Sequence, residues 1–238
     1  MAVVVLAELP RVAAADEWDS CVKLSDDLAV AGCSRAIESR EYTGRSLARV
    51  YARRGGAYAA KGDVNRAVAD YNESMRIDPT YPAAYLNRGN VWFHRGDFDR
   101  AIADYNQAIQ LDPKDAEAYY GRGSAFGGKG DLDRAMADYN QAIRVNPEYG
   151  PAYVNRGSAW GNKGDLDRAI ADYNQAIRLD PKEPKAYYYR GIAWEMKRSL
   201  QAALADFKMY SQLAPSDPDG LTAVKRVSKE LSKMTGQR

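Results

Sequence analysis

Residues 82–115 read PAAYLNRGNVWFHRGDFDRAIADYNQAIQLDPKD, and residues 116–149 read AEAYYGRGSAFGGKGDLDRAMADYNQAIRVNPEY. Laid one over the other, the two 34-residue stretches share Tyr, Arg-Gly, an aromatic, Gly-Asp, Asp-Arg-Ala and Ala-Asp-Tyr-Asn-Gln-Ala-Ile at matching places. Worked outward, the same period carries Gly55, Gly89, Gly123, Gly157 and Gly191. It carries Ala67, Ala101, Ala135, Ala169 and Ala203 as well, and Pro79, Pro113, Pro147, Pro181 and Pro215. Three residue types locked to one period of this length, with no strand-like alternation inside it, predict a helical solenoid.

Each unit is counted from its first residue, Ala48 for the 48–81 unit. Position four is then Tyr51, Tyr85, Tyr119, Tyr153 and Tyr187, and position eleven is Tyr58, Trp92, Phe126, Trp160 and Trp194. Positions four, eight and eleven lie three or four apart, on one face of a helix. Lys61-Gly62-Asp63, Arg95-Gly96-Asp97, Lys129-Gly130-Asp131 and Lys163-Gly164-Asp165 read as the end of one helix and the carboxylate cap of the next. The second helix carries Ala67, Tyr71 and Ile77 on one face and stops before Asp78-Pro79. A unit is therefore two antiparallel helices. Gly at position eight faces Ala at position twenty across the hairpin, where small residues let the helices approach closely.

These residues carry a family resemblance. Tyr85, Gly89, Trp92, Ala101, Tyr105, Ala108 and Pro113 resemble the tetratricopeptide repeat pattern, and the likeness covers five units, 48–81, 82–115, 116–149, 150–183 and 184–217. It implies an all-α fold, a right-handed α-solenoid of antiparallel helix pairs. Residues 218–238 break the pattern: Leu221 to Lys233, with Val224, Val227 and Leu231 at helical spacing, is expected to be a helix capping the last unit, followed by a short tail. Two departures stand out. Ser74 replaces the usual small alanine, and Arg198 replaces the turn glycine, which predicts a tighter or more helical turn there.

Composition bounds the function. The 238 residues carry 34 basic and 32 acidic side chains, a formal charge of +2 with no long block of one sign, which disfavours nucleic acid as a partner. No stretch of eighteen apolar residues is present, so no membrane span is expected. With one histidine, no phosphate-binding glycine loop and glycines placed for packing, neither catalysis nor a metal or other cofactor is expected. Arg54, Arg88, Arg122, Arg156 and Arg190 recur at position seven, and Asp70, Asp104, Asp138, Asp172 and Asp206 at position twenty-three. They form either a ladder of ion pairs, within a unit or between neighbours, or two independent solvated stripes.

Counting back one period gives a degenerate unit, 14–47, whose positions eight and twenty are Cys21 and Cys33. Those are the places where later units set Gly against Ala, a separation that suits a disulfide; two buried reduced thiols are the alternative. Residues 1–15 are a signal-like or disordered leader, apolar up to Leu9 and with Val12-Ala13-Ala14-Ala15 ahead of Asp16. A disulfide and a cleaved leader together imply a periplasmic or secreted protein, resembling exported bacterial tetratricopeptide proteins; the alternative is cytoplasmic.

By the same resemblance, the first helix of each unit lines a concave groove. The groove positions give Arg49, Arg53, Asn87, Asn90, Phe93, Tyr120, Asn155, Lys185, Tyr188 and Tyr189 as the residues that would hold a peptide. The clamp that some family members use for acidic chaperone tails needs a lysine at position five. Here that position is Ala52, Leu86, Tyr120, Val154 and Tyr188, so the clamp is absent. The expectation is a non-catalytic scaffold or adaptor binding a protein or extended peptide. A self-assembling structural protein, a homo-oligomer, is the alternative, and a regulatory module of an enzyme a further one.

Overall fold

The computed structural model describes Cys21, residues 26–234 and Gly236. The leader 1–15 and the last residues of the tail lie outside the described residues. Twelve helices and no strand occur among the described residues. They divide into two compact units, one ending at Pro113 and the other beginning at Lys114, in the turn between two helices.

The first unit holds α1 (Asp26–Glu38), α2 (Gly44–Ala60), α3 (Val64–Ile77), α4 (Pro82–His94) and α5 (Phe98–Leu111). The second holds α6 (Ala116–Gly128), α7 (Leu132–Val145), α8 (Gly150–Asn162), α9 (Leu166–Leu179), α10 (Pro184–Met196), α11 (Leu200–Leu213) and α12 (Pro218–Met234). Within each unit, every helix packs on its neighbours in sequence, making an α-solenoid of antiparallel helix pairs closed at the C-terminal end by α12.

Most of these helices are 13 or 14 residues long, too short to be stable alone in water, so their ends and their packing hold them. Asp97 caps α5 by accepting from the Arg100 backbone N–H at 3.1 Å, and Asp63, Asp131 and Asp165 do the same for α3, α7 and α9. The preceding turn needs one left-handed residue. Gly62, Gly96, Gly130 and Gly164 supply it with φ of 76°, 75°, 80° and 83°.

Arg198 takes the same conformation at φ 62°, and the Ser199 N–H reaches back to the Trp194 carbonyl at 2.9 Å, as Asp97 does to Trp92. The turn is therefore unchanged rather than tighter or more helical. That hydrogen-bond pattern fixes the backbone, and the side chain carries the strain.

The core of each pair is a ring laid on a glycine. A Cβ added to Gly89 would sit 2.9 Å from Cε1 of Tyr105, and one on Gly157 2.8 Å from Cε1 of Tyr173. Position eight is thus glycine chiefly because the position-twenty-four ring lies across it. The alanine at position twenty is fully buried beside it. Burying each ring contributes about 2–3 kcal/mol. Ser74, fully buried where the next three repeats have Ala108, Ala142 and Ala176, donates to the Ala48 carbonyl at 2.7 Å, which satisfies its hydroxyl.

The two recurring charge stripes meet. Arg54–Asp70, Arg88–Asp104, Arg122–Asp138, Arg156–Asp172 and Arg190–Asp206 are each two-pronged pairs inside one helix hairpin, with Nε and Nη2 within 2.8 Å of the two carboxylate oxygens. The aspartates are buried and the arginines half-buried. Nη1 of Arg88, Arg156 and Arg190 then donates to Asn72, Asn140 and Asn174 of the preceding repeat, which ties hairpin to hairpin. Arg66, Arg100, Arg134 and Arg168 lie over the position-eleven rings, Arg100 4.0 Å from the centroid of Trp92.

Cys21 and Cys33 are both fully buried and joined by a disulfide, with Cα atoms 4.6 Å apart, in a small core with Ala36 and Val50. At the other end Ala223 and Val227 of α12 bury against Leu200, Ala203 and Phe207.

Candidate functional site

The residues expected along the groove fall into separate local environments. In the first unit, Arg49 and Arg53, one turn apart on α2, line a cleft of about 450 Å³ together with Ala52, Gly56, Tyr71, Tyr81 and Asn87. Both arginine side chains are exposed, and Arg53 directs its Nε to the Cys21 carbonyl at 3.2 Å. Asn90 and Phe93 lie further along α4. Asn90 accepts the Tyr105 hydroxyl at 2.7 Å, and the Phe93 ring packs 5.7 Å from His94 and from Phe98.

In the second unit, the Asn155 amide is turned inward. Its Nδ2 lies 3.2 Å from the Tyr120 hydroxyl, 3.2 Å from Ser124 Oγ and 3.5 Å from the Tyr139 hydroxyl. Tyr120 and Asn155, expected as separate peptide contacts, therefore hold each other across α6 and α8. Tyr188 is also inward, with its ring 4.8 Å from Tyr210 and 5.8 Å from Phe207. Lys185 and Tyr189 are exposed, and Tyr189, stacked on Tyr173 at 6.1 Å, lines a second pocket of about 390 Å³. Ser158, Asn162, Leu166, Ile192 and Met196 complete much of that pocket, with Met196 60% exposed at its rim.

Sequence reasoning missed Tyr71, Tyr81, Leu166, Ile192 and Met196 as lining residues. Three of them come from outside the first helix, which the periodic reading confined to packing. Position nine held the available signal. It is Gly56, Asn90, Ser124, Ser158 and Ile192, and it faces the position-twenty-four ring of its own unit: Tyr105 bonds Asn90, Tyr139 approaches Ser124 at 3.5 Å, Tyr173 pairs with Ser158 at 3.2 Å, and apolar Ile192 accompanies Phe207.

Burial pushes the phenols up in pKa. Tyr173 rises to about 12 because it is desolvated, and Tyr120 and Tyr139 also rise from burial, opposed by hydrogen bonds with Ser124 and Asn155. These hydroxyls stay protonated at neutral pH and act as hydrogen-bond donors. Among the described residues no group of three or more His, Cys, Asp or Glu could hold a metal ion, and no helix is long and apolar enough to cross a membrane. The arrangement offers guanidinium groups, hydroxyls, amides and an aromatic-aliphatic pocket, which is recognition chemistry.

Short helix pairs joined by recurring turns, with clefts of mixed polarity within each unit, define a helical-repeat interaction scaffold. The TPR repeat model matches residues 55–94, 89–130 and 162–197, and a tetratricopeptide repeat model matches residues 116–149. The chain belongs to the tetratricopeptide repeat proteins. Among solved structures it is similar to MamA, at 29% identity over 68% of this chain and 95% of that one, with a TM-score of 0.60. It is also similar in fold to PilW, a type IV pilus biogenesis factor, at 21% identity over 80% and 89% with a TM-score of 0.72. YrrB, described as a tetratricopeptide protein with an unusual peptide-binding site, matches at 21% identity over 81% and 97% with a TM-score of 0.60. No curated protein sequence matches the chain.

Proposed function

We propose that this scaffold is non-catalytic and binds an extended segment of a partner protein along the first-helix faces of its repeats. The observation that carries the reading is the make-up of the two clefts. Most of the lining comes from first helices, Arg49, Ala52, Arg53, Gly56 and Asn87 in one and Ser158, Gly161, Asn162, Tyr189, Ile192 and Met196 in the other, with Tyr71 and Tyr81, and Leu166, Ala169 and Tyr173, added from outside them. The first cleft carries two arginine side chains and the second is largely apolar, so each suits a short partner segment of its own chemistry. The interior charges are already consumed in the Arg–Asp pairs, so they belong to the scaffold rather than to recognition.

The test is a photo-crosslinking amino acid placed at Arg49, at Tyr189 and, as an outer-face control, at Ala171. Adducts from each of the first two positions that map to a defined partner segment, with none from Ala171, are the expected result. Equal adducts from all three would sink the groove reading, and adducts to this chain itself would favour self-assembly.

The disulfide supports an oxidising compartment such as the periplasm or the exterior. Thiol counting on unreduced protein from its host tests this: no free thiol is expected, and two would return the protein to the cytoplasm.

A further inference from the structure

Positions six, nine and thirteen of a repeat lie on one face of its first helix, at i, i+3 and i+7. They are Arg53, Gly56 and Ala60 in the 48–81 unit, and Asn87, Asn90 and His94 in the next. Gly121, Ser124 and Gly128 follow, and then Asn155, Ser158 and Asn162. In the 184–217 unit alone all three are large and apolar, as Tyr189, Ile192 and Met196 on α10. The scaffold absorbs part of this change: the Tyr189 ring stacks on Tyr173 at 6.1 Å, and Ile192 packs on the core that α12 closes. The outer part remains in solvent, with Tyr189 36% and Met196 60% exposed.

This face is one wall of the second pocket, of about 390 Å³, and Ser158, Gly161 and Asn162 of α8 contribute another. A Cβ built on Gly161 would meet nothing within 4 Å, so the space is there because that position has no side chain. Among the described residues, none that lines the pocket is charged. The charged residues next to the lining in sequence are spent on pairs: Lys163 with Asp133, Lys197 with Asp167, and Glu195 with Arg226 at 2.7 Å. A neutral lining favours an uncharged, apolar occupant, because a charged one would lose water there without gaining a counter-charge.

From Tyr189 to Met196 the stripe runs about 10 Å along α10, at about 1.5 Å per residue. An extended chain presents alternate side chains on one face, about 7 Å apart. Two of them therefore fit along the stripe, while the residue between them turns back to solvent. Asn162, exposed across from the stripe, offers an amide that both donates and accepts, as an extended main chain requires. The unbranched thioether of Met196 lets the wall adjust to side chains of different shape.

We propose that the Tyr189–Ile192–Met196 face and Gly161 form a subsite for two aliphatic side chains at alternate positions of an extended partner segment, with the Asn162 amide taking its main chain. This rests on the groove reading above and names the side-chain pattern recognised in its second cleft.

The test titrates the full chain with three acetylated, amidated pentapeptides: Ser-Leu-Ser-Leu-Ser, its rearrangement Ser-Leu-Leu-Ser-Ser, and Ser-Glu-Ser-Glu-Ser. Binding is followed by the Gly161 backbone amide resonance in two-dimensional NMR. A second readout is the rate at which dilute hydrogen peroxide converts Met196 to its sulfoxide, with Met234, 71% exposed on α12, as the internal reference. The expected result is saturable movement of the Gly161 resonance with the alternating peptide and at least fivefold weaker binding of the other two. Oxidation of Met196 should slow at least threefold in that complex, with Met234 unchanged.

Gly161→Leu fills the space from a helical position where leucine is well tolerated, and Met196→Asn copies Asn162 of the preceding repeat. Both should keep the fold by circular dichroism and weaken the alternating peptide at least fivefold, whereas Met234→Asn should leave it unchanged. Equal binding of the two Leu peptides, or indifference to Gly161→Leu and Met196→Asn, overturns the subsite. Preference for the Glu peptide overturns the apolar assignment. A chain mass that doubles on concentration and returns to the monomer in Met196→Asn gives the face to a second copy and also overturns the proposal. No saturable binding of any peptide overturns it as well. In each of these cases the crosslinks at Arg49 decide the groove reading separately.

Discussion

Arg122 and Asp138 stand sixteen residues apart and meet across one hairpin, Nε to Oδ2 at 2.8 Å and Nη2 to Oδ1 at 2.7 Å. The carboxylate is nearly enclosed and the guanidinium about one-fifth exposed, with side-chain accessibilities of 6% and 22%. Asp138→Ala leaves a half-buried cation without its counter-charge and is expected to cost about 3 kcal/mol in urea unfolding. The double variant R122L/D138L should recover more than half of that loss, because it removes both charges and keeps apolar volume.

The glycines of α6 separate two effects that look alike in sequence. A Cβ on Gly123 would meet Tyr139 Cε1 at 2.9 Å and the Ala135 carbonyl at 3.1 Å, and the backbone oxygen cannot swing away. Gly123→Ala is expected to destabilise by about 1–3 kcal/mol. At Gly127 the nearest atom is the Tyr139 hydroxyl oxygen at 3.6 Å, an ordinary contact. Gly127→Ala should stabilise by about 0.5–1 kcal/mol through helix propensity, read as a higher midpoint in the same denaturant series.

Arg198 holds a left-handed backbone, φ 62°, that four earlier turns assign to glycine. Its side chain is 78% exposed and pairs with Glu230 on α12, a contact worth at most about 1 kcal/mol. Relief of the backbone conformation contributes about 1–2 kcal/mol. Arg198→Gly is therefore expected to raise the thermal midpoint slightly, and Arg198→Ala, which loses the pair and keeps the strain, to lower it.

Asp97 is held below its ordinary carboxylate range by hydrogen bonds from the Arg100 side chain and then from the Arg100 backbone N–H. A lowered folded-state pKa means that its contribution is fully present above the unfolded value of about 3.9 and is lost as pH falls through the folded value. The midpoint difference between the native chain and Asp97→Asn should be flat from pH 7 to about 5 and shrink below about 4. A difference that grows on acidification would contradict the capping role.

Reduction of Cys21–Cys33 opens a short loop and is expected to cost about 3 kcal/mol at that end of the chain. Arg53 loses its anchor on the Cys21 carbonyl with it, so amide exchange should accelerate in α1 and the first turns of α2 while α8 to α11 are unaffected. Exchange monitored by mass spectrometry with and without a dithiol checks this.

The 34-residue spacing of glycine, alanine and proline was enough to determine helix pairs, turn positions and aspartate caps. All of these are local: each depends on residues within about five places of one another, so a repeated local pattern gives a repeated local structure. The Cys21–Cys33 pairing was legible from counting the period back one unit, which puts the two thiols where later repeats set Gly against Ala. The C-terminal helix was legible from its apolar spacing, and Val227 is fully buried on the last pair.

Which side chain answers which was decided only in three dimensions. The Arg and Asp stripes were consistent with solvated faces until their rotamers joined them two-pronged. Tyr188 and Tyr189 are adjacent in sequence, yet one turns into Phe207 and Tyr210 and the other lies on a pocket rim. Asn155 carries the residue type expected of a peptide contact and spends its amide on Tyr120 and Ser124. Tyr71 looks like Tyr105 and Tyr139 in the repeat, and only the space over Gly56 sets it apart. Periodicity fixes the direction in which a position faces, whereas the partner it finds depends on volumes and hydrogen-bonding groups brought from other helices by packing.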